Sequence, residues 1–299
     1  MLWGKRIQEA KSFRLNLHSS ELALVENCFA GPHQPPPSGY EPAYQIVLPY
    51  HGLFSYCTGS RAWLLDSTRT LCISPGWEFH EEKPVPGVGH AALLINPSTE
   101  LVDEICGPRT SEANPAFVQA SLPCSPQLQL LTHMLLRHTQ GWDEPLCKDE
   151  WVVSVLHQLQ ASRPVRARAS KAIARAKEVL HSHSRERLSL DQIAKMVGVS
   201  PAYLTQEFTR SEGMPLYKYQ MHLRLSRALL ELPYCYSITE LALDLGFSTH
   251  SHFTSLFHRA FGVTPSQYRA GIKLSPSGSR SPVEAIYARA AAEPLHAVS

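Results

Sequence analysis

The chain of 299 residues lacks the spacings that mark redox, zinc or disulfide chemistry. Its seven cysteines, Cys28, Cys57, Cys72, Cys106, Cys124, Cys147 and Cys235, are scattered and odd in number, with no C-x-x-C pair. That pattern argues against a disulfide framework and for buried free thiols in a reducing compartment. No apolar run approaches the ~18 residues that a spanning helix needs. The opening Met1-Leu2-Trp3-Gly4-Lys5-Arg6 leads into no apolar stretch of the signal-peptide kind. No H-x-H occurs before residue 181, and His33, His51, His80 and His90 are dispersed, so a metal centre built from paired strand histidines has no ligand set. His80 with Glu81 and Glu82 is the one tempting group. No nucleophile–base pair and no phosphate-cradling glycine loop stands out. The expectation is a protein without catalytic residues, cofactor or metal.

Charge, by contrast, is unevenly placed. The net of +2 divides into an acidic part through Arg163, with 11 Lys and Arg against 16 Asp and Glu, and a basic part from Pro164, with 17 against 10. Such asymmetry suggests that the second part alone meets a polyanion. The length suits two domains.

Residues 1–120 read as short strands and turns. Leu22–Val25, Tyr44–Leu48, Leu71–Ile73 and Ala91–Ile95 are β-prone runs, and Phe54–Cys57 turns at Thr58–Arg61 into Ala62–Leu65 as a hairpin. Close spacing with Gly/Pro turns implies a small antiparallel barrel or sandwich. A helical pair follows within 121–163, near 126–139 (Leu128, Leu131, Met134, Leu135) and 148–161 (Trp151, Val152, Val155, Leu156, Leu159). Its apolar faces fit either a dimer interface or packing within the domain. A linker spans 164–170, a helical domain 171–272, and a Ser/Pro/Ala-rich tail 273–299.

The helical domain carries one message twice. Ser189-Leu190-Asp191-Gln192-Ile193-Ala194 recurs as Ser237-Ile238-Thr239-Glu240-Leu241-Ala242, and Val197–Ser200 as Leu245–Ser248, both at an offset of 48. After one inserted residue, Leu204, Phe208, Gly213 and Tyr219 recur as Phe253, Phe257, Gly262 and Tyr268 at an offset of 49. Ser189 and Gln192 have capping-box spacing, Gly198 suits a left-handed stop, and Ser200 caps the next helix with Pro201 at its first position. Ser237, Gly246 and Ser248 are expected to repeat those roles. Helix, glycine turn, helix is a helix-turn-helix, whose second helix enters the major groove. With Leu204, Phe208, Phe253 and Phe257 inward, the outward faces carry Ala202, Thr205, Gln206 and Thr209, then His250, Ser251, Thr254, Ser255 and His258. Gln pairs with adenine, Ala and Thr meet thymine methyls, and Ser and His bond base edges. Lys195, Arg210, Arg224, Arg227 and Arg259, joined by His258, are expected phosphate contacts. A long helix with Leu225, Ala228, Leu229 and Leu232 on one stripe, stopped by Pro233, holds the two units at a fixed separation.

On these residues the segment Lys171–Arg269 resembles the DNA-binding domain of AraC/XylS transcriptional regulators. The likeness runs through Leu188-Ser189-Leu190, Ile193-Ala194, Val199-Ser200, Tyr203-Leu204 and Phe208. It continues with Arg224-Leu225 through Ala228, Gly246-Phe247-Ser248, His252-Phe253, Phe257 and the closing Phe261–Arg269. The second reading helix departs from the family in being rich in His and Ser. The N-terminal part resembles the cupin-like sensory domains of the same family. The resemblance implies two domains, an all-β cupin-like small barrel followed by helices and an all-α tandem helix-turn-helix. It also implies a bacterial, cytoplasmic, nucleoid-associated protein that binds promoter DNA, touches RNA polymerase and usually activates, with an N-terminal domain that binds a small effector, makes a homodimer, or both. The competing reading is an effector-binding or metal-dependent cupin enzyme with a helical assembly domain.

Overall fold

A computed structural model describes residues 12–107, 120–138, 145–160 and 170–270. The tail expected at 273–299, and all of the 164–170 linker but Ser170, lie outside them.

Ten strands build two antiparallel sheets. β1 (Phe13–Ser19), β2 (Ala23–Ala30), β9 (His90–Pro97), β4 (Gln45–His51), β7 (Arg69–Ile73) and β10 (Ala120–Pro123) lie side by side in that order. β3 (Ser38–Glu41), β8 (Trp77–Glu82), β5 (Phe54–Thr58) and β6 (Arg61–Leu65) form the second sheet. Among the described residues the strands stay in two hydrogen-bonded sheets and do not close into a ring, which is the sandwich form of the expected barrel or sandwich. β4 explains the layering. Its alternate side chains are buried on both faces: Val47 joins Phe54, Tyr56, Trp63, Leu65 and Leu71 between the sheets, while Ile46 and Leu48 meet the helices.

The β5–β6 hairpin forms as the alternation predicts, with Tyr56 opposite Trp63. β1, β3 and β8 are less legible, because they carry exposed or charged side chains that break the apolar signal. β10 pairs with β7, so the β domain extends past residue 120. A helix the sequence reading passed over, α1 (Thr99–Cys106), starts at Ser98, whose hydroxyl accepts from the Leu101 N–H.

α2 (Pro126–His138) and α3 (Pro145–Gln160) cover the six-stranded sheet with Leu128, Leu131, Leu135, Trp151, Val152, Val155 and Leu156. Two other α2 residues, Leu130 and Met134, face the opposite way and enter the core of the second helical domain. The apolar face offered for an interface is therefore spent within the chain.

That domain holds α4 (Lys171–Ser182), α5 (Leu190–Val197), α6 (Pro201–Glu212), α7 (Leu216–Glu231), α8 (Ile238–Asp244), α9 (His250–Phe261) and α10 (Pro265–Arg269). It has two cores. Ile173, Ala176, Leu180, Ile193, Leu204 and Phe208 fill the first, and Leu241, Phe247, Phe253, Phe257 and Tyr268 the second. α7 belongs to both: Leu216 and Tyr219 enter the first, Met221, Leu225, Ala228 and Leu229 the second. One continuous helix thus couples two mini-cores that neither unit could complete alone.

The domains also meet through buried charge. Asp66 and Arg69, at the β6–β7 turn, face Lys177 of α4, Glu212 of α6 and Tyr219 of α7. All five are almost fully buried.

Candidate nucleic-acid interface

The first unit forms as its caps dictate. Ser189 and Gln192 exchange both bonds of the capping box around the start of α5. Gly198 ends it in the left-handed region, at φ 82° and ψ 32°. The Val199 N–H returns to the Ala194 carbonyl at 3.0 Å, and Ser200 caps α6 by accepting from Tyr203 N–H. In the second unit the Phe247 N–H returns to the Ala242 carbonyl, also at 3.0 Å, at the offset of 48. There the likeness shifts. Ser248 does not cap α9; Thr249 does, accepting from the His252 N–H. The inserted residue therefore sits inside the second turn, which is why the repeat changes offset at that point.

Leu204, Phe208, Phe253 and Phe257 are buried. On α6, Ala202, Thr205, Gln206 and Thr209 are exposed. The Thr205 and Thr209 hydroxyls donate to the carbonyls of Pro201 and Thr205, both at 2.9 Å, which fixes their rotamers. On α9, His250, Ser251, Ser255, His258 and Arg259 are exposed and Thr254 is half-buried. The His250 ring bridges Thr239 of α8, at 3.4 Å, and Thr254, at 3.3 Å. It is braced across the turn rather than waving from the helix.

The cations divide. Lys195 and Arg259 are exposed. Arg210 is exposed but chelated by Glu207 through two bonds of 2.9 and 2.7 Å. Arg224 is buried at 7% exposure, which corrects its reading as a phosphate contact. Its guanidinium donates to the Gly246 carbonyl at 2.9 Å and to the Glu186 carbonyl at 3.0 Å. Arg227 is half-buried, bonded to Glu231 at 2.6 Å and to the Ser184 hydroxyl, and so is also withdrawn from a phosphate.

Arg224 shows what the sequence reading missed. Its two acceptors belong to the turn of the second unit and to the loop before the first. Arg187, from that same loop, donates to the Phe247 carbonyl. Together they lash the two units at one angle. Gly246 is part of the fit: at φ +84°, a Cβ there would stand 2.8 Å from the Arg224 guanidinium. The clue lay in Arg224 falling on the apolar stripe of α7, beside Leu225 and four residues before Ala228.

A cleft of about 780 Å³ opens between the domains. His51, Gly52 and Ser67 line one wall, and His181, Arg227 and Leu230 the other. Burial, with the charges of Arg227, His181 and His90, holds His51 down to about 3.

Residues 193–271 match the family model described as a helix-turn-helix domain. The Msm operon regulatory protein of Streptococcus mutans is 33% identical over 99 residues, which are 32% of this chain and 35% of that protein. An uncharacterised HTH-type transcriptional regulator of Staphylococcus aureus is 34% identical over 93 residues, 31% of this chain and 12% of that one. A solved transcriptional regulator from Chromobacterium violaceum, described as AraC-type DNA-binding domain-containing, is 35% identical, over 34% of this chain and 93% of that one, with a TM-score of 0.33. The chain spans about a third or less of the length of these two curated relatives.

Proposed function

We infer from the premise that the C-terminal domain of this chain belongs to the AraC-type helix-turn-helix family that the whole protein is a sequence-specific, DNA-binding transcriptional regulator. One observation carries the reading: two helices of matching build present polar faces outward while Arg224, buried, and Arg187 bond across the units and fix their mutual angle. Two rigidly joined readers suit adjacent major grooves on one side of a duplex. Ala202, Thr205, Gln206, Thr209, His250, Ser251, Thr254 and Ser255 are proposed to read bases. Lys195, Arg210, His258 and Arg259 are proposed to meet phosphates.

The β domain is proposed as a cupin-like sensor. A polar group between its sheets supports this: Glu41 accepts from Gln45 at 3.1 Å and Tyr56 at 3.3 Å, and Glu81 meets His90 at 2.7 Å. A small effector in the interdomain cleft would touch both halves and bias their docking. Homodimerisation, contact with RNA polymerase and activation complete the proposal, with a soluble cytoplasmic setting. No helix among the described residues is long and apolar enough to cross a membrane.

The test is footprinting of the full-length protein on genomic DNA, followed by affinity against salt. Protected sites spaced about one helical turn apart, with log K falling linearly in log salt, are expected. Binding that is indifferent to sequence on every fragment would refute the reading.

A further inference from the structure

The group His80-Glu81-Glu82 does not act as a unit, because strand alternation parts it. Glu81 turns inward to His90, at 2.7 Å. His80 and Glu82 share the other face of β8, with His80 Nε2 and Glu82 Oε1 4.0 Å apart. The neighbouring strand supplies a third donor, since Cys57 of β5 lies opposite His80 in the register. Its neighbour Tyr56 points into the core between the sheets, so Cys57 points away from it. One ligand atom from each of Cys57, His80 and Glu82 lies within 4.8 Å of the others. The thiol is buried, while the imidazole and carboxylate side chains are 58% and 63% exposed.

We propose that Cys57, His80 and Glu82 bind a divalent transition-metal ion of the zinc class on the face of the four-stranded sheet turned away from the six-stranded one. A thiolate, an imidazole and a carboxylate are the three donor types zinc takes, whereas magnesium and calcium want oxygen alone. Metal–ligand bonds of about 2.0–2.3 Å place tetrahedral donors some 3.3–3.8 Å apart. Small rotations of the two exposed side chains close the present set to that size. The Cys57 anchor is fixed on a central strand and needs no movement. Three protein ligands leave the fourth position to water, so the site is open. An ordinary thiol is protonated at neutral pH, so binding forms the metal–sulfur bond and releases the thiol proton to solvent.

The experiment is titration of the reduced, full-length protein with Co(II), read by absorbance and by proton release. Binding of about one equivalent, a thiolate-to-cobalt charge-transfer band in the near ultraviolet and release of about one proton are expected. The band should vanish in Cys57→Ser. His80→Ala and Glu82→Gln alter only exposed side chains, keep the wild-type far-ultraviolet spectrum and should each weaken binding at least about tenfold. The proposal is overturned by a band that survives in Cys57→Ser, by wild-type affinity in both surface variants, or by no band at millimolar cobalt.

Discussion

Lys177 is the residue whose removal tests the domain junction most sharply. Its Nζ lies 3.2 Å from Asp66 Oδ2 and 2.9 Å from Glu212 Oε2, at 1% exposure. Arg69 reaches the same Glu212 oxygen at 2.6 Å, and the Tyr219 hydroxyl donates to Asp66 at 2.6 Å. At an effective dielectric near ~20, each Lys177 contact is worth about 5–6 kcal/mol before desolvation, which costs several kcal/mol per ion. Lys177→Met leaves the two buried carboxylates with Arg69 at Glu212 and the His181 ring, 3.8 Å from Asp66, as their basic neighbours. The net loss expected is about 3–5 kcal/mol, the range for a buried pair broken from one side. Adding Asp66→Asn restores charge balance around Arg69 and Glu212, so the double variant should recover about half of that loss or more. Chemical denaturation of wild type, both single variants and the double variant gives the coupling energy directly. Hydrogen exchange should show β6–β7 and α4 loosening together in Lys177→Met. A loss under about 1 kcal/mol with no coupling would refute the view that this cluster fixes the domains together.

Gln206→Ala should lower affinity by about 1–3 kcal/mol and relax one base position in a selection experiment; an unchanged site preference would rule out base reading by this residue. Arg224→Gln withdraws donors from two carbonyls and should cost about 1–3 kcal/mol of stability. It should also weaken a full operator more than either half-site, and an equal effect on all three would separate Arg224 from alignment of the units. His51 binds its proton far more weakly when folded, at about 3, than the ordinary 6.5. Between those values the unfolded chain holds a proton the folded chain refuses, so stability is full above about pH 6.5 and falls as pH drops toward 3, by up to about 1.4 kcal/mol per pH unit. His51→Gln should flatten that acid limb in urea titrations, and an unchanged limb would place the acid sensitivity elsewhere.

What the sequence revealed followed how local the cause was. Caps and glycine stops act within four residues, so both helix-turn-helix units were legible to within a residue. The lapse at Ser248 came from an insertion whose position a repeat alone brackets but does not fix. The β domain was harder. Its central strands announce themselves by continuous burial, but β8 is written Trp-Glu-Phe-His-Glu-Glu and hides its inward face behind charge. The partner of a charged residue was not legible. Lys177 lies on the apolar stripe of α4, four residues after Ile173, and Arg224 lies on that of α7. A cation on an apolar stripe signals burial with a partner, but Asp66, far away in sequence, could not be named without the fold.

The fate of the arginines bears on how the protein would hold DNA. The basic C-terminal part suggested binding led by charge. Yet Arg224, Arg227 and Arg187 are spent on carbonyls, a hydroxyl and Glu231, Arg185 is paired with Glu231, and Lys177 is buried. Those cations hold the two readers at their angle and the helical domain to the β domain. Lys177 and Arg224 are buried outright, and the bonds of the others tie them to the domain's own groups. The outward faces are instead short and largely uncharged: Ala, Thr, Gln, Ser and His. Such side chains act only at close range, where geometry decides whether a bond forms. Under the proposed function, discrimination depends on the two faces meeting their grooves together, and that is what the bonds of Arg224 and Arg187 across the units secure. A regulator of the proposed kind, built this way, is best controlled through alignment rather than through charge. The interdomain cleft, bordered by Arg227 and lying over α7, is the place in the fold where a bound molecule could shift that alignment.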